Sequence, residues 1–420
     1  MNIGFISTRL AGTDGVSLET AKWATVLRRM GHQVFYCAGE LDPDGPPGRL
    51  TPEMHFDHPL AKALGGRAFG STAPDPTLLY DIATAAAPLR LRLLDFISEF
   101  HIDLLIPQNI MAIPMQLPLG QAVGQVVEET GLPTIAHNHD FYWERERFRV
   151  NCIPKFLDTY FPFSAPNLRH AVINSLAKRN LKARRGLDAT VVPNVFDFAP
   201  SAVKGRPGTD DFNADLRESI GLDDDDLFIL QPTRVVARKG IELSIELLRR
   251  LDDPRCKLII THHAGDEGLD YLHKLQAMAD EAGVDLRYEA HRFDPTRRTE
   301  LDGRKVYALW DAYVHADLVT YPSLIEGFGN ALIEAVYFRC PTLVNRYPVY
   351  AADIGPLGFD FVEIGGKITD KDVAQVRDLL ADSARRKHMT EHNYRLGQEH
   401  FSFERLEKLL RGLMENTVRL

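Results

Sequence analysis

Two glutamates stand eight residues apart around a glycine-rich turn in the segment SLIEGFGNALIEA, residues 323–335. Glu326 is expected after a buried strand, and Glu334 in the helix that follows. Carboxylates accept hydrogen bonds from sugar hydroxyls. Gly327 and Gly329 let the backbone approach a ligand, and the helix start offers N–H groups to a diphosphate. The pattern suits a phosphorylated, hydroxyl-rich ligand; the alternative is a helix N-terminal acid beside an unrelated surface acid.

Two cations precede this motif in the segment QPTRVVARKG, residues 231–240. Arg234 and Lys239 follow a predicted strand and come just before a helix that begins near Gly240. Cations at the carboxyl end of a strand can neutralise a diphosphate that departs with extra negative charge. Taken alone, such a pair is more typical of a solvated helix start. Together with the glutamates it indicates a diphosphate site.

A polar group also follows a buried strand in the first half of the chain, in IAHNHD, residues 135–140. We interpret His137 as a ligand contact, with packing or capping of the strand as the alternative. The neighbours His139 and Asp140 are candidates for contact with an acceptor substrate.

The next segment, FYWERERFR (141–149), places arginines and glutamates in alternation after three aromatic residues. Trp143 can stack on the face of a sugar, and Arg145 can bind a carboxylate or a phosphate. An exposed loop of mixed charge explains the same pattern equally well, so the acceptor role of this segment stays open.

Short apolar runs alternate with amphipathic stretches along both halves of the chain, which predicts α/β architecture with parallel sheets and crossover helices. The expected strands lie at 3–7, 33–38, 103–109, 133–139, 170–175 and 189–195, then at 227–233, 257–263, 285–290, 317–323 and 341–345. The expected helices include 18–29, 88–100 and 403–416.

A stretch rich in proline, glycine and aspartate, residues 198–226, separates the two halves and is predicted to connect them. The prediction is therefore two Rossmann-like domains, 1–197 and 227–402, with parallel sheets that face a deep interdomain cleft. Open parallel sheets bind ligands at the carboxyl ends of their strands.

Composition excludes several other classes of protein. The 420 residues are 45% hydrophobic with a net charge of −9, which argues against nucleic acid as a partner. The four cysteines form no CxxC pair, so we expect a reducing cytoplasm rather than a disulfide framework or a zinc site. The uncharged stretch 104–127 contains prolines and amides, which predict a strand, a loop and a helix instead of a membrane span. No pattern indicates an oligomeric state.

The two chemical motifs, R-x4-K-G and E-G-F-G-x4-E, resemble the signature of the retaining GT-B-fold glycosyltransferases of family 4, also called glycosyl transferases group 1. Three further segments resemble elements of that family: IAHNHD; ATVVPNVFDF (189–198), with Val195 where glycine is usual; and GTDGVS (12–17), with only Gly15 at the turn. SFERLEKLL (402–410) resembles the family's final helix, which crosses back onto the first domain.

The resemblance implies roles for particular residues. Arg234 and Lys239 would hold the donor diphosphate, Glu326 the transferred sugar, and Glu334 the ribose. The other donor contacts implied are the side chain of His137, Gly15 near the phosphates, and the backbone of Gly327, Phe328, Gly329 and Asn330. The base of the nucleotide is expected to meet the backbone of residues 288–293.

The function that the resemblance implies is a hexosyltransferase that retains the anomeric configuration without a metal or another cofactor, and a same-face mechanism is our hypothesis for it. UDP-glucose and GDP-mannose are the first two donor candidates, and the acceptor is a small polar metabolite or a saccharide. Double displacement through Glu326 is the rival chemistry. A sugar-nucleotide epimerase of the same architecture is the alternative function, whereas a nicotinamide enzyme lacks its G-x-G-x-x-G spacing.

Overall fold

The computed structural model of the protein describes residues 1–199, 208–264 and 268–418. The chain divides into two compact units: Met1–Val195 together with Phe403–Leu420, and Phe196–Ser402. Each unit is built around its own parallel β-sheet, so the predicted α/β architecture with two parallel sheets is confirmed.

The first unit contains a seven-stranded sheet in which every neighbouring pair is parallel, in the order β3-β2-β1-β4-β5-β6-β7. Its strands are β1 (Asn2–Ser7), β2 (Gln33–Ala38), β3 (Gly48–Leu50), β4 (Leu104–Pro107), β5 (Thr134–Asn138), β6 (Leu168–Val172) and β7 (Ala189–Val191). The sheet order reverses at β1, where ligands bind in open parallel sheets.

Six helices connect these strands: α1 (Gly15–Arg29), α2 (Pro59–Ala68), α3 (Leu78–Glu99), α4 (Leu117–Thr130), α5 (Pro154–Tyr160) and α6 (Ser175–Arg185). Side-chain caps and left-handed glycines define several of their ends. Asn174 accepts a hydrogen bond from the backbone N–H of Ala177 and starts α6, which ends at Gly186 with φ of 68°. Because Asn174 caps the start of α6, β6 ends at Val172 and does not reach residue 175, where the strand was predicted to end.

The second unit contains a six-stranded parallel sheet in the order β10-β9-β8-β14-β15-β16 and a small sheet in the order β11-β13-β12. The strands are β8 (Leu227–Gln231), β9 (Cys256–Ile260), β10 (Asp285–Tyr288), β11 (Phe293–Asp294), β12 (Arg298–Thr299), β13 (Lys305–Ala308), β14 (Leu318–Tyr321), β15 (Thr342–Asn345) and β16 (Val362–Ile364). The helices are α7 (Leu216–Ser219), α8 (Glu242–Leu251), α9 (Asp270–Ala282), α10 (Leu309–His315), α11 (Asn330–Tyr337), α12 (Asp370–Ala381) and α13 (Ser383–Phe401).

The C-terminal helix α14 (Phe403–Val418) belongs to the first unit. Its apolar side contributes the buried residues Leu406, Leu410 and Leu413 to the core that also contains Trp23 of α1. The amphipathic pattern predicted for residues 403–416 therefore becomes part of the hydrophobic core, where burial of leucine side chains stabilises the fold.

Two segments differ from the predicted elements. The helix predicted over 88–100 begins ten residues earlier, at Leu78, and runs through Pro88, because a buried stripe continues on both sides of the proline. Residues 208–226, expected in the connection, lie in the second unit, where Leu216 and Ile220 are buried in its core. Residues 200–207 of the same stretch lie outside the described residues.

The uncharged stretch 104–127 forms β4, a loop and the first part of α4. Within the described residues, no helix combines the length and the apolar character that crossing a bilayer requires.

We expect Leu410→Ala to lower the free energy of unfolding by about 2–5 kcal/mol, because Leu410 of α14 is fully buried in the core of the first unit. Leu91→Ala is the matched control, since Leu91 of α3 is 56% exposed, and it should change the free energy by less than about 0.5 kcal/mol. Urea titration of both variants measures the difference. Equal losses would contradict the packing of α14.

Candidate functional site

In the second unit, the loop after β8 places Lys239 in a single 3-10 turn, Ala237–Lys239. The next residue, Gly240, has φ of 60°, and a Cβ atom there would lie 2.7 Å from the carbonyl oxygen of Pro322. Only glycine permits this close approach. The loop after β8 is thereby packed against the loop after β14, which carries Glu326.

Lys239 and Glu326 form a buried ion pair between the lysine Nζ and the carboxylate Oε1. Their side chains are only 10% and 9% exposed, respectively. The guanidinium of Arg238 lies 3.4 Å from the second carboxylate oxygen, Oε2. One buried carboxylate is thus held by two cations from the segment that precedes α8.

The electrostatics of this pair follow from burial and charge. Burial raises the pKa of the Glu326 carboxyl, but the charge and the hydrogen bond of Lys239, together with weaker effects that include the charge of Arg238, hold that pKa below its usual value. Burial lowers the pKa of Lys239, Glu326 opposes the shift, and the charges of Arg238 and Arg234 add to it. Arg234 is therefore within electrostatic reach of Lys239, and the cluster carries a surplus of positive charge.

The glycine-rich turn leads directly into α11, whose first residue is Asn330. Gly329 has φ of 128°, and a Cβ atom there would lie 2.3 Å from the hydroxyl oxygen of Tyr347. That hydroxyl donates a hydrogen bond of 2.7 Å to the carbonyl oxygen of Phe328. The Phe328 ring is buried and packs edge-on against Phe401, so this residue can offer only its backbone to a ligand.

Glu334 lies in the second turn of α11, where its carboxylate accepts a hydrogen bond of 2.9 Å from the Tyr313 hydroxyl. Burial and the charge of Glu334 raise the pKa of Tyr313 far above its usual value, so the phenol keeps its proton and remains a donor. Glu334 is thereby oriented by a neutral partner, unlike Glu326, which is held by cations.

Sequence reasoning missed two residues of this site. Arg238 stands between the residues of the R-x4-K-G motif, and nothing in its spacing distinguishes it. His262 follows β9, the strand next to β8, and burial lowers its pKa to about 4, with Lys239 and Arg234 adding to the shift. The apolar run KLIITHH ends in two histidines, which mark the carboxyl end of a buried strand. This pattern could have identified His262 as a candidate site residue.

The segment 288–293, predicted to meet the nucleotide base, follows the end of β10. The Tyr288 hydroxyl accepts a hydrogen bond of 2.7 Å from the backbone N–H of Ala264. A single 3-10 turn, Ala290–Arg292, follows. The contact with the base stays a prediction.

In the first unit, Gly15 is the first residue of α1, and Asp14 caps that helix. The Asp14 carboxylate accepts hydrogen bonds from the N–H groups of Val16 and Ser17 and also pairs with Arg9 at 3.1 Å. The side chain of Asp14 therefore occupies the helix start beside Gly15. The role of Gly15 near the phosphates stays a prediction.

His137 of β5 is completely buried in the first unit. Its ring stacks on Trp23 of α1, with centroids 4.0 Å apart, and its Nδ1 lies 2.9 Å from Oε1 of Gln108. Burial lowers the pKa of His137 well below its usual value, so the imidazole is neutral. Its Nε2 has no hydrogen-bond partner among the residues that the structure describes.

The loop after β5 is held by an amide at the end of β4. Asn109 accepts a hydrogen bond of 3.0 Å from the backbone N–H of His139 and donates one of 3.1 Å to Asp140. Asp140 also accepts a hydrogen bond from Nε of Arg145. Burial lowers the pKa of His139 to about 4 against the opposing charges of Asp140 and Asp14. The structure thus brings together His137, His139, Asp140 and Arg145.

Trp143 lies beside this group, where it stacks on Phe141 at 4.6 Å between ring centroids. The guanidinium of Arg184 lies 5.6 Å from its ring. The segment 141–149 forms two short 3-10 turns, and Glu146 and Arg149 pair on the surface. Within the described parts of the chain, no group of three or more potential metal ligands is positioned to hold an ion.

Comparison with known proteins relates the chain to glycosyltransferases. The family description Glycosyl transferases group 1 matches residues 212–396. The mannosylglucosylglycerate synthase of Petrotoga mobilis is 32% identical over 391 residues, which cover 87% of each chain. The enzyme of the same name from Thermotoga maritima is also 32% identical, over 98% of this chain and 99% of its own.

Solved structures agree in fold. Anabaena HepE in complex with UDP-glucose superposes with a TM-score of 0.66 at 14% identity over 100% of both chains. A glycosyltransferase from Rickettsia africae superposes with a TM-score of 0.67 at 13% identity, covering 99% of this chain and 98% of its own. At these identities the likeness concerns the fold.

We expect Lys239→Met to lower the free energy of unfolding at pH 7 by about 3–5 kcal/mol, because it leaves the Glu326 carboxylate buried without its main partner. Lys62→Met is the control, since the Lys62–Asp57 pair is exposed and such pairs contribute about 0–1 kcal/mol. Urea titration measures both changes.

The loss of stability in Lys239→Met relative to the wild type should also depend on pH, and the direction of this dependence follows from the pKa of Glu326. The pKa of Glu326 lies below the usual 4.5 in the folded protein, so its stabilising effect is present above that pH and is lost on acidification. In Lys239→Met, burial raises that pKa instead, so the deficit relative to the wild type should shrink as the pH falls. A deficit that is constant with pH would contradict the ion pair.

Proposed function

The chain belongs to the glycosyl transferases group 1 family and transfers a sugar from a nucleotide-sugar, and on that premise we propose that it moves a mannosyl group from GDP-mannose to glucosylglycerate with retention of configuration. The observation that carries this proposal is the buried Lys239–Glu326 pair beside Arg234 and Arg238. It unites cations for a diphosphate with a carboxylate for sugar hydroxyls.

The ion pair explains how the charged groups of the donor site can stay buried before the donor binds. Without a ligand, each buried charge compensates the other. When the donor binds, Lys239 and Arg234 turn to the diphosphate, and Glu326 accepts hydrogen bonds from hydroxyls of the hexose. Both charges stay compensated, so binding avoids the cost of burying an isolated ion.

The nucleoside half of the donor fits α11. The start of the helix provides N–H groups and the positive end of its dipole, which favour an anion. One turn further on, Glu334 is oriented by Tyr313 and would accept hydrogen bonds from the ribose hydroxyls.

The relatives' name favours one of the two donor candidates. A mannosylglucosylglycerate synthase adds a mannosyl group, and two such enzymes share 32% identity with this chain over most of its length. GDP-mannose is therefore the proposed donor, and UDP-glucose is the second candidate. The acceptor implied by the same name is a small acid with a sugar ring, which agrees with the predicted small polar acceptor.

The proposed chemistry is a substitution on one face of the sugar. The bond between the anomeric carbon and the phosphate oxygen breaks, and its electron pair stays on the departing diphosphate beside Lys239 and Arg234. The acceptor hydroxyl forms the new bond on the same face, and its proton passes to the departing phosphate oxygen. Positive charge at the diphosphate stabilises this step.

Double displacement by Glu326 has less support. Its carboxylate is hydrogen-bonded to Lys239 and lies 3.4 Å from Arg238. Both cations draw electron density from the oxygens that would have to attack the anomeric carbon. A covalent adduct of the sugar on Glu326 would overturn the same-face proposal.

The acceptor side is proposed to lie in the first unit, at His139, Asp140, Trp143 and Arg145. Asp140 holds Arg145 in place, and Arg145 supplies the positive charge that an acidic acceptor requires. Trp143 offers an aromatic face to a sugar ring. The thiols of all four cysteines are unpaired, which suits the proposed cytoplasmic location.

We expect the protein to release GDP from GDP-mannose only when glucosylglycerate is present, and Arg234→Ala to lower kcat about 10²–10³-fold through the loss of charge stabilisation. The exposed arginine Arg298, also in the second unit, provides the control variant Arg298→Ala, which should leave kcat unchanged. A coupled nucleotide-release assay with GDP-, UDP- and ADP-sugars measures both effects.

Other outcomes of this assay have clear meanings. Conversion of the donor's sugar without any acceptor would establish the alternative, an epimerase. Release of UDP from UDP-glucose alone among the donors would replace the mannosyl proposal with a glucosyl one.

We expect the product to carry the same α configuration at the mannosyl carbon as the donor, because the acceptor attacks the face from which the diphosphate leaves. The one-bond carbon–hydrogen coupling of the anomeric centre in the NMR spectrum of the product reads the configuration directly. A β-linked product would contradict the proposed mechanism.

A further inference from the structure

Buried polar atoms without partners mark one place in the first unit, at the carboxyl ends of β4 and β5. Nε2 of His137, Nε2 of Gln108 and the indole Nε1 of Trp23 have no hydrogen-bond partner among the described residues. All three side chains are at most 1% exposed. Buried polar groups in folded proteins are almost always hydrogen-bonded, so this concentration requires an explanation.

His137 contacts both of the other side chains. The His137 ring is stacked on Trp23, with an angle of 21° between the planes, and its Nδ1 lies 2.9 Å from Oε1 of Gln108. An amide oxygen has lone pairs and no hydrogen, so it can only accept a hydrogen bond. With the Gln108 amide in this orientation, Nδ1 of His137 carries the proton that is shared with Gln108.

A neutral imidazole carries one proton, so Nε2 of His137 is then a bare lone pair. Burial keeps the ring neutral, and the nearest titratable group, His139, disfavours the charged form further. Asp140 and Asp14 face His139 with negative charge and Lys22 faces it with positive charge. Trp23 and Gln108, which contact His137 directly, carry no charge.

We propose that Gln108 is a positioning residue that holds His137 in the Nδ1–H tautomer, so that Nε2 accepts a hydrogen bond from a hydroxyl of the bound sugar. This inference rests on the proposed transferase activity. Further donors without partners lie on the two side chains that contact the ring: the indole N–H of Trp23, which is stacked on it, and the amide group of Gln108 at Nδ1. A hydroxyl both donates and accepts, and it matches such a surface.

The Nδ1–H tautomer of His137 makes the site selective for a hydroxyl group over an anionic oxygen. A phosphate or carboxylate oxygen at Nε2 would face a lone pair with its own lone pairs, which is repulsive. A hydroxyl group is favoured there, and a deoxy sugar would leave the buried acceptor unsatisfied. Discrimination against the analogue that lacks a hydrogen-bonding group is strong when the protein's own polar atoms are then left unpaired.

The direct test is nitrogen NMR of the full chain with ¹⁵N-labelled histidine, where His137→Asn identifies the His137 signals. We expect the wild type to show His137 as neutral Nδ1–H between pH 6 and 8. Gln108→Glu should convert the ring to the doubly protonated form at pH 7, because a carboxylate stabilises the imidazolium. A wild-type spectrum of the Nε2–H tautomer would overturn the proposal.

Two controls show whether the effect of Gln108→Glu on the His137 signals is specific. His170 of β6 is also buried, which lowers its pKa to about 4, and its signals should be unchanged in Gln108→Glu. Gln33→Glu introduces the same charge at an exposed residue that begins β2, at the opposite end of the sheet. A change in His137 caused by Gln33→Glu would contradict a specific effect of Gln108.

Kinetic measurements distinguish a positioning role of Gln108 from a purely structural one. Gln108→Met should lower kcat/KM about tenfold to a hundredfold while the fold persists by circular dichroism. Gln108→Glu should be inactive at low pH and recover as the pH rises through the raised pKa of His137, whereas the wild type has no such step. An unchanged pH profile would overturn the role in substrate binding, and the NMR result stands even if the chain proves not to be a transferase.

Discussion

The buried ion pair between Lys239 and Glu326 is the constraint on which the second unit depends. Moving two charges out of water costs several kcal/mol for each ion, and their attraction repays this only when the geometry holds them together. That geometry comes from two glycines with positive φ, Gly240 in the loop after β8 and Gly329 before α11. Each permits a backbone approach that any Cβ would prevent.

The two units use different physical means to present polar groups. The second unit buries charges and compensates them with opposite charges, which in the proposed function prepares it for a diphosphate. At the carboxyl ends of β4 and β5, the first unit buries neutral groups: His137 and His139 have lowered pKa values, and the amides Gln108 and Asn109 hold them in position. Neutral imidazoles present directional hydrogen bonds without attracting a phosphate, and they suit sugar hydroxyls.

The alternation of apolar runs predicted both sheets, because strands buried on both faces read as continuous apolar stretches. The E-G-F-G-x4-E and R-x4-K-G motifs led to Lys239 and Glu326, but no spacing indicated that the two pair directly. The role of Gln108 could not be predicted from the sequence, since one glutamine after a strand has no distinguishing pattern. The small sheet of β11, β12 and β13 was missed because its strands have two to four residues and no periodicity to detect.

The central claim is that the Lys239–Glu326 pair opens to receive a nucleoside diphosphate sugar. Isothermal titration calorimetry of GDP and GDP-mannose with the wild type and with Glu326→Gln tests it most directly. We predict that Glu326→Gln binds GDP at least as tightly as the wild type, because Lys239 is released from its partner, and binds GDP-mannose with no gain over GDP, because the sugar contact is lost. Equal weakening of both ligands would contradict the account, since Glu326 would then act on the diphosphate and not on the sugar.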